Sequence, residues 1–217
     1  MTFGGLPTRF EPAGRSHGVA LVAPGRAYSP AAPLLELARN ALLQHDLTVQ
    51  QIWWDSTARG DEDAEAWVRR HVAAAHARED ADHVLVVGKS LGTRAASYAA
   101  ERGLDAIWLT PLLVDPVVAE GIAANPGRQL LVGGVADELW DVSVARELAD
   151  AGCEVLEVAD ADHSMGTPDV VRTAEIHLEV ARAVEAFLAT LPGDVPQACA
   201  GRCLQRMRLP KAPTARS

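Results

Sequence analysis

The sequence predicts an α/β protein, a three-layer αβα sandwich on a mostly parallel sheet of about six strands. Three observations carry this expectation. From Gly18 onward, short runs rich in Val, Leu and Ile alternate with longer stretches at helical spacing, the pattern of βαβ units. Most of the short runs are apolar on consecutive residues, as strands covered by helices on both faces require. The longer stretches place apolar residues three or four positions apart, so each has one face suited to packing on a sheet.

In chain order, the expected strands are Val19 to Ala23, Thr48 to Trp54, His83 to Val87, Ala106 to Thr110, Gln129 to Gly133 and Glu154 to Val158. Between the first two, Leu34, Leu37, Ala38, Ala41 and Leu42 share one helical face. Trp67 to Ala77 reads as a weaker helix and Ser90 to Arg102 as an Ala-rich one. Pro116 to Ala124 is a short helix. Asp141 to Ala151 opens on an acid suited to capping and stops before Gly152. The last helix carries Ile176, Val180, Val184, Phe187 and Leu191 on one stripe, and PGDVP then breaks it.

These elements divide the chain into a lead-in over 1–17, one domain over 18–192, and a tail over 193–217. Arg202, Arg206, Arg208, Lys211 and Arg216 face only Asp194 in the tail, whose composition predicts disorder. That length suits one sizeable core.

Composition excludes several functional classes. The net charge of -9 would repel a phosphate backbone, and the basic residues are scattered, so no nucleic-acid partner is expected. No apolar run approaches the roughly 18 to 20 residues of a membrane span. The first 17 residues hold Gly, Pro and charges where a secretory signal needs an apolar stretch. The cysteines Cys153, Cys199 and Cys203 are odd in number and suggest no disulfide framework. A cytoplasmic protein, monomeric or homodimeric, without metal or cofactor and acting on a small acyl substrate, is the expectation.

The chemistry centres on Gly88-Lys89-Ser90-Leu91-Gly92, a G-x-S-x-G directly after VLVV and directly before a helical stretch. A serine on so tight a strand-to-helix turn takes up a strained backbone, which persists where neighbouring side chains are absent. Gly88-Lys89-Ser90 also looks like the end of a phosphate-binding loop, but that motif needs glycine at His83, within a strand-like run.

A serine hydroxyl needs a base oriented by a carboxylate, and on such folds the order is Ser, acid, His. His163, in the turn after the last strand, is favoured over His177 within the last helix. Asp137, just past the strand Leu130 to Val132, is favoured as the acid; Asp115 is the runner-up, with helix capping as its other reading. The backbone N–H groups of Leu91 and Arg26, or Ala27 in place of Arg26, are the candidate oxyanion donors. Tyr28, Trp54 and Trp140 lie near strand ends as possible pocket lining, with core packing as the alternative.

VLVVGKSLGT, LVGGVADELWD, ADHSM and LVAPGRAY together resemble the α/β-hydrolase superfamily, in particular its small cap-less members of the dienelactone-hydrolase and esterase kind. The resemblance spans about Gly18 to Leu191 and implies a Ser90, Asp137, His163 triad and an acyl-enzyme route for a small ester or thioester. Ser90 stands where dienelactone hydrolases proper carry Cys, which argues against that activity. The interval Pro111 to Arg128 is too short for a cap, and the family's first two strands are not evident in 1–17. A non-catalytic binding protein of this fold, or an acyl or peroxy-acid transferase on the same triad, is the alternative.

Overall fold

The computed structural model describes residues 2–191, with side chains from residue 4 onward. The tail expected over 193–217, with Cys199 and Cys203, lies outside the described residues. Strands β1 (Thr2–Phe3) and β2 (Leu6–Pro7) form a small hairpin, followed by β3 (Arg9–Phe10). Next come β4 (Gly18–Ala23), α1 (Pro33–Gln44), β5 (Leu47–Gln51), α2 (Ala64–His76) and β6 (Val84–Lys89). A 3-10 turn over Ser90–Ala95 leads into α3 (Ala96–Arg102). Then follow β7 (Asp105–Leu109), α4 (Pro116–Ala124), β8 (Gln129–Gly134), α5 (Val142–Asp150), β9 (Glu154–Val158) and α6 (Val170–Leu188).

The main sheet has seven strands in the order β3-β5-β4-β6-β7-β8-β9, all parallel except β3. The six expected strands are the parallel ones. The seventh was not legible: β3 pairs Arg9 with Gln50 and Phe10 with Val49, antiparallel, at the edge. Two residues show no periodicity, and one of them, Arg9, turns its guanidinium to Glu79 at 3.1 Å. The second expected strand is shorter than read, since Ile52 to Trp54 leave the sheet. The run from Ser90 to Arg102 also begins as a 3-10 turn rather than an α-helix.

Two apolar cores hold the layers. Leu34, Leu42, Ile176, Val184 and Phe187 of α1 and α6 cover one face, and Trp67, Val72, Ala99, Ile122 and Leu148 of α2 to α5 cover the other. Strands β4, β5, β6 and β8 are therefore buried along their whole length. Four helices start on an Asp that accepts backbone N–H bonds: Asp63, Asp115, Asp141 and Asp169. Each such cap typically contributes about 1 kcal/mol.

This topology positions the site. Leaving β4, the chain turns to α1 on one face; leaving β6, it turns to α3 on the other. Their carboxyl ends diverge, and a crevice opens where the strand order reverses. The interval Pro111–Arg128 adds only α4, so no inserted domain covers that crevice.

Candidate active site

Ser90 occupies the turn between β6 and the 3-10 segment with φ of +51°, in the left-handed region that costs a non-glycine residue energy. Close packing holds it there. A Cβ on Gly92 would lie 2.1 Å from the Ala23 carbonyl oxygen at the end of β4, and one on Gly88 would lie 2.8 Å from both Gly92 O and the Trp108 ring. Both glycines thus let the turn press against its neighbours, while the Thr93 hydroxyl donates to the Ser90 carbonyl at 2.6 Å.

The loop after β9 brings His163 to this turn. Its Nε2 lies 2.8 Å from Ser90 Oγ, and its Nδ1 lies 2.7 Å from Asp137 Oδ2. The loop is held firmly: Asp162 Oδ1 accepts from the N–H groups of Ser164 and Gly166, and the fully buried Met165 anchors it beneath. Asp137, beyond β8, has a side chain only 1% exposed, and its Oδ1 accepts the Leu139 N–H at 2.9 Å. Both carboxylate oxygens have partners, so the buried charge is compensated. One oxygen is left to hold the Nδ1–H tautomer of His163, leaving Nε2 as the acceptor toward Ser90.

Asp115 stands elsewhere: it caps α4 through the Val117 N–H and pairs with Arg94. His177 sits in α6, away from this cluster. Arg26 and Leu91 line the same cleft as Ser90, whereas Ala27 does not. The Leu91 N–H lies in the first turn of a 3-10 segment, where no intrahelical acceptor is available. Among the described residues, the Arg26 N–H also has no acceptor.

Tyr28, Trp54 and Trp140, expected as possible lining, are not among the residues that line this cleft. Trp140 is buried against Gly133 and donates to Glu157 Oε2 at 2.8 Å. Trp54 packs tilted against Trp67 and edge-on against His71, and it donates to the Gly25 carbonyl at 3.2 Å. Tyr28 accepts the Leu34 N–H at the start of α1. Packing and hydrogen bonding engage all three, and leucines line the cleft instead: Leu91, Leu112 and Leu139.

One site residue was missed. Lys89 is 2% exposed, yet its ammonium donates to the His163 carbonyl at 2.9 Å and lies 4.8 Å from the centre of the Tyr28 ring. Burial pulls this lysine down to about 8, with Asp137 and Asp162 pulling it back up. It ties the β6 end to the loop that carries His163. A charge closing an otherwise apolar strand was the signal, and reading it only against a phosphate-binding loop hid its role.

No family model and no curated protein matches the chain. Solved structures do. The chain is similar to Est1E from Butyrivibrio proteoclasticus at 12% identity and a TM-score of 0.66, over 83% of this chain and 91% of that one. It is also similar to a putative hydrolase of the α/β superfamily from Xanthomonas campestris, at 18% identity and a TM-score of 0.63, over 80% and 99%. The esterase domain of a Rhodothermus marinus protein aligns at 14% identity and a TM-score of 0.59, over 83% and 92%. With its seven-stranded sheet, its helices on both faces and its reversal of strand order at β4, the chain has the α/β-hydrolase fold.

Proposed function

We propose that the protein is a serine hydrolase that cleaves a small ester or thioester through an acyl-enzyme intermediate. The observation that carries this reading is the unbroken relay from Ser90 Oγ through His163 to Asp137, at 2.8 and 2.7 Å. Such distances are those at which a base can take a proton from a nucleophile.

In this reading Ser90 Oγ bonds to the acyl carbon while its proton passes to His163 Nε2. Asp137 stabilises the resulting imidazolium. The carbonyl oxygen becomes an oxyanion facing the Leu91 and Arg26 N–H groups, and removing one such donor typically costs about 10² to 10³ in rate. Collapse expels the alcohol or thiol, which takes the proton from His163. Water then attacks the acyl-Ser90 ester with His163 again as base, releasing the acid and restoring the serine. The esterases among the structural neighbours support this reaction class.

A screen of p-nitrophenyl esters over a range of acyl lengths, with Ser90→Ala as control, tests it. Turnover that disappears in the variant is the expected result. Absence of turnover across the series, or turnover that survives Ser90→Ala, overturns it.

A further inference from the structure

Three arginines line the cleft that contains Ser90. They come from three separate segments: Arg26 from the loop after β4, Arg59 from the turn after β5, and Arg94 from the 3-10 segment after β6. The cleft measures about 310 Å³, and among the described residues no acidic side chain lines it. In a chain of net charge -9, such a concentration of positive charge at one place is not what composition alone would produce.

Structural partners account for only part of this charge. Arg94 pairs with Asp115, and Asp63 at the start of α2 also feels its field. Arg59 donates to the Glu62 carbonyl, and the Glu62 carboxylate, held by Arg70 at 2.8 Å, also feels its charge. Arg26 is exposed and, among the described residues, contributes only its backbone carbonyl, to Ser56. Among the described residues, neither Arg26 nor Arg59 has a carboxylate at ion-pair distance. Like charges gathered around a concave site repel one another until an anion arrives, and before that they draw anions toward it.

We infer that the substrate carries an anionic group, a carboxylate or a phosphate, which Arg26 and Arg59 receive while its ester carbonyl sits at Ser90. This inference rests on the hydrolase reading and specifies its substrate class. Leu91, Leu112 and Leu139 then cover the apolar stretch between the ester and the anion. Guanidinium forks suit both anions, since their planar donors match paired oxygens.

The anion can belong to either half of the ester, and two matched substrate pairs separate the cases. In the acyl arm, mono-p-nitrophenyl adipate is compared with p-nitrophenyl hexanoate. In the leaving-group arm, 4-carboxyphenyl acetate is compared with phenyl acetate. Each rate is divided by that ester's rate with hydroxide. The expected result is a preference of about tenfold to a hundredfold in kcat/KM for the anionic member of one arm, the range for hydrogen bonds to a charged group. The preference shrinks as salt is raised, and it falls at least about fivefold in Arg59→Gln and in Arg26→Gln. Melting curves confirm that both variants are folded. Turnover of all four esters with no anionic preference in either arm overturns the inference and leaves the hydrolase reading standing. A preference unaffected by salt and by both substitutions also overturns it. Failure to turn over any ester, with Ser90 inert toward a fluorophosphonate, overturns both readings.

Discussion

The two sides of Ser90 are built differently. On one side, the buried Asp137 and Lys89 hold the half-buried His163, each polar atom of this chain has a partner, and all three groups sit at or just beyond strand ends. On the other side lies an open cleft, where arginines from three loops surround a leucine floor. The base side is defined by backbone geometry and hydrogen bonds, so a small displacement there costs much. The cleft side is defined by long side chains with few partners, so it can change while the relay stays intact. In the proposed reading, reaction type resides in the first and substrate choice in the second.

The sharpest way to break this contrast is to remove the nucleophile. If the proposed reading holds, Ser90→Ala should lower kcat by about 10⁵ to 10⁶ in steady-state assays with the best ester, the cost measured for such relays. Asp137→Asn should cost about 10⁴ in kcat, because an amide at this position favours the wrong imidazole tautomer. A loss under tenfold for Asp137→Asn would show that His163 is oriented by other groups.

Lys89 tests how far the rigid side extends. It touches the His163 backbone rather than the ring, so Lys89→Met should lower kcat about tenfold with KM little changed, a loss within the range of a buried bond left unmade. Its titration gives a second readout. Burial lowers the value at which the ammonium gives up its proton to about 8, below the ordinary lysine value that the unfolded chain retains. Between those two values the unfolded state binds more protons, so this group makes folding more favourable as pH rises. The stability of wild type relative to Lys89→Met should therefore increase from about pH 7.5 to 9.5 in denaturant titrations. A difference that stays flat across that range would contradict the burial of a charged Lys89.

Tyr28→Phe is the smallest expected effect. It removes only the hydroxyl that accepts the Leu34 N–H and should cost about 1 kcal/mol in stability, with kcat preserved within about threefold. A larger loss of kcat would place Tyr28 on the catalytic side of the comparison.

The same contrast explains what could be read from the sequence. The parallel strands were legible because burial on both faces makes them continuous apolar runs, as in Val84 to Val87. Ser90 was legible because its turn demands glycines at fixed offsets, and Asp137 and His163 because chain order and strand ends restrict where they can stand. Strand β3 was not, since two residues held by an edge pairing and an Arg9–Glu79 contact leave no periodic trace. The cleft was least legible of all. Arg26, Arg59 and Arg94 are distant in sequence and look like ordinary surface arginines until the sheet brings their loops together. For Tyr28, Trp54 and Trp140, cleft lining and core packing both stayed open, because residues that flank strand ends do not show from sequence position which way the side chain turns.

The central claim is that Ser90 is an activated nucleophile, and a fluorophosphonate tests it most directly. Intact-mass measurement and peptide mapping should find one adduct on wild type, on the peptide containing Ser90, and none on Ser90→Ala. A folded wild-type protein that stays unlabelled beside a reactive control hydrolase, or an adduct that persists in Ser90→Ala, would contradict the account.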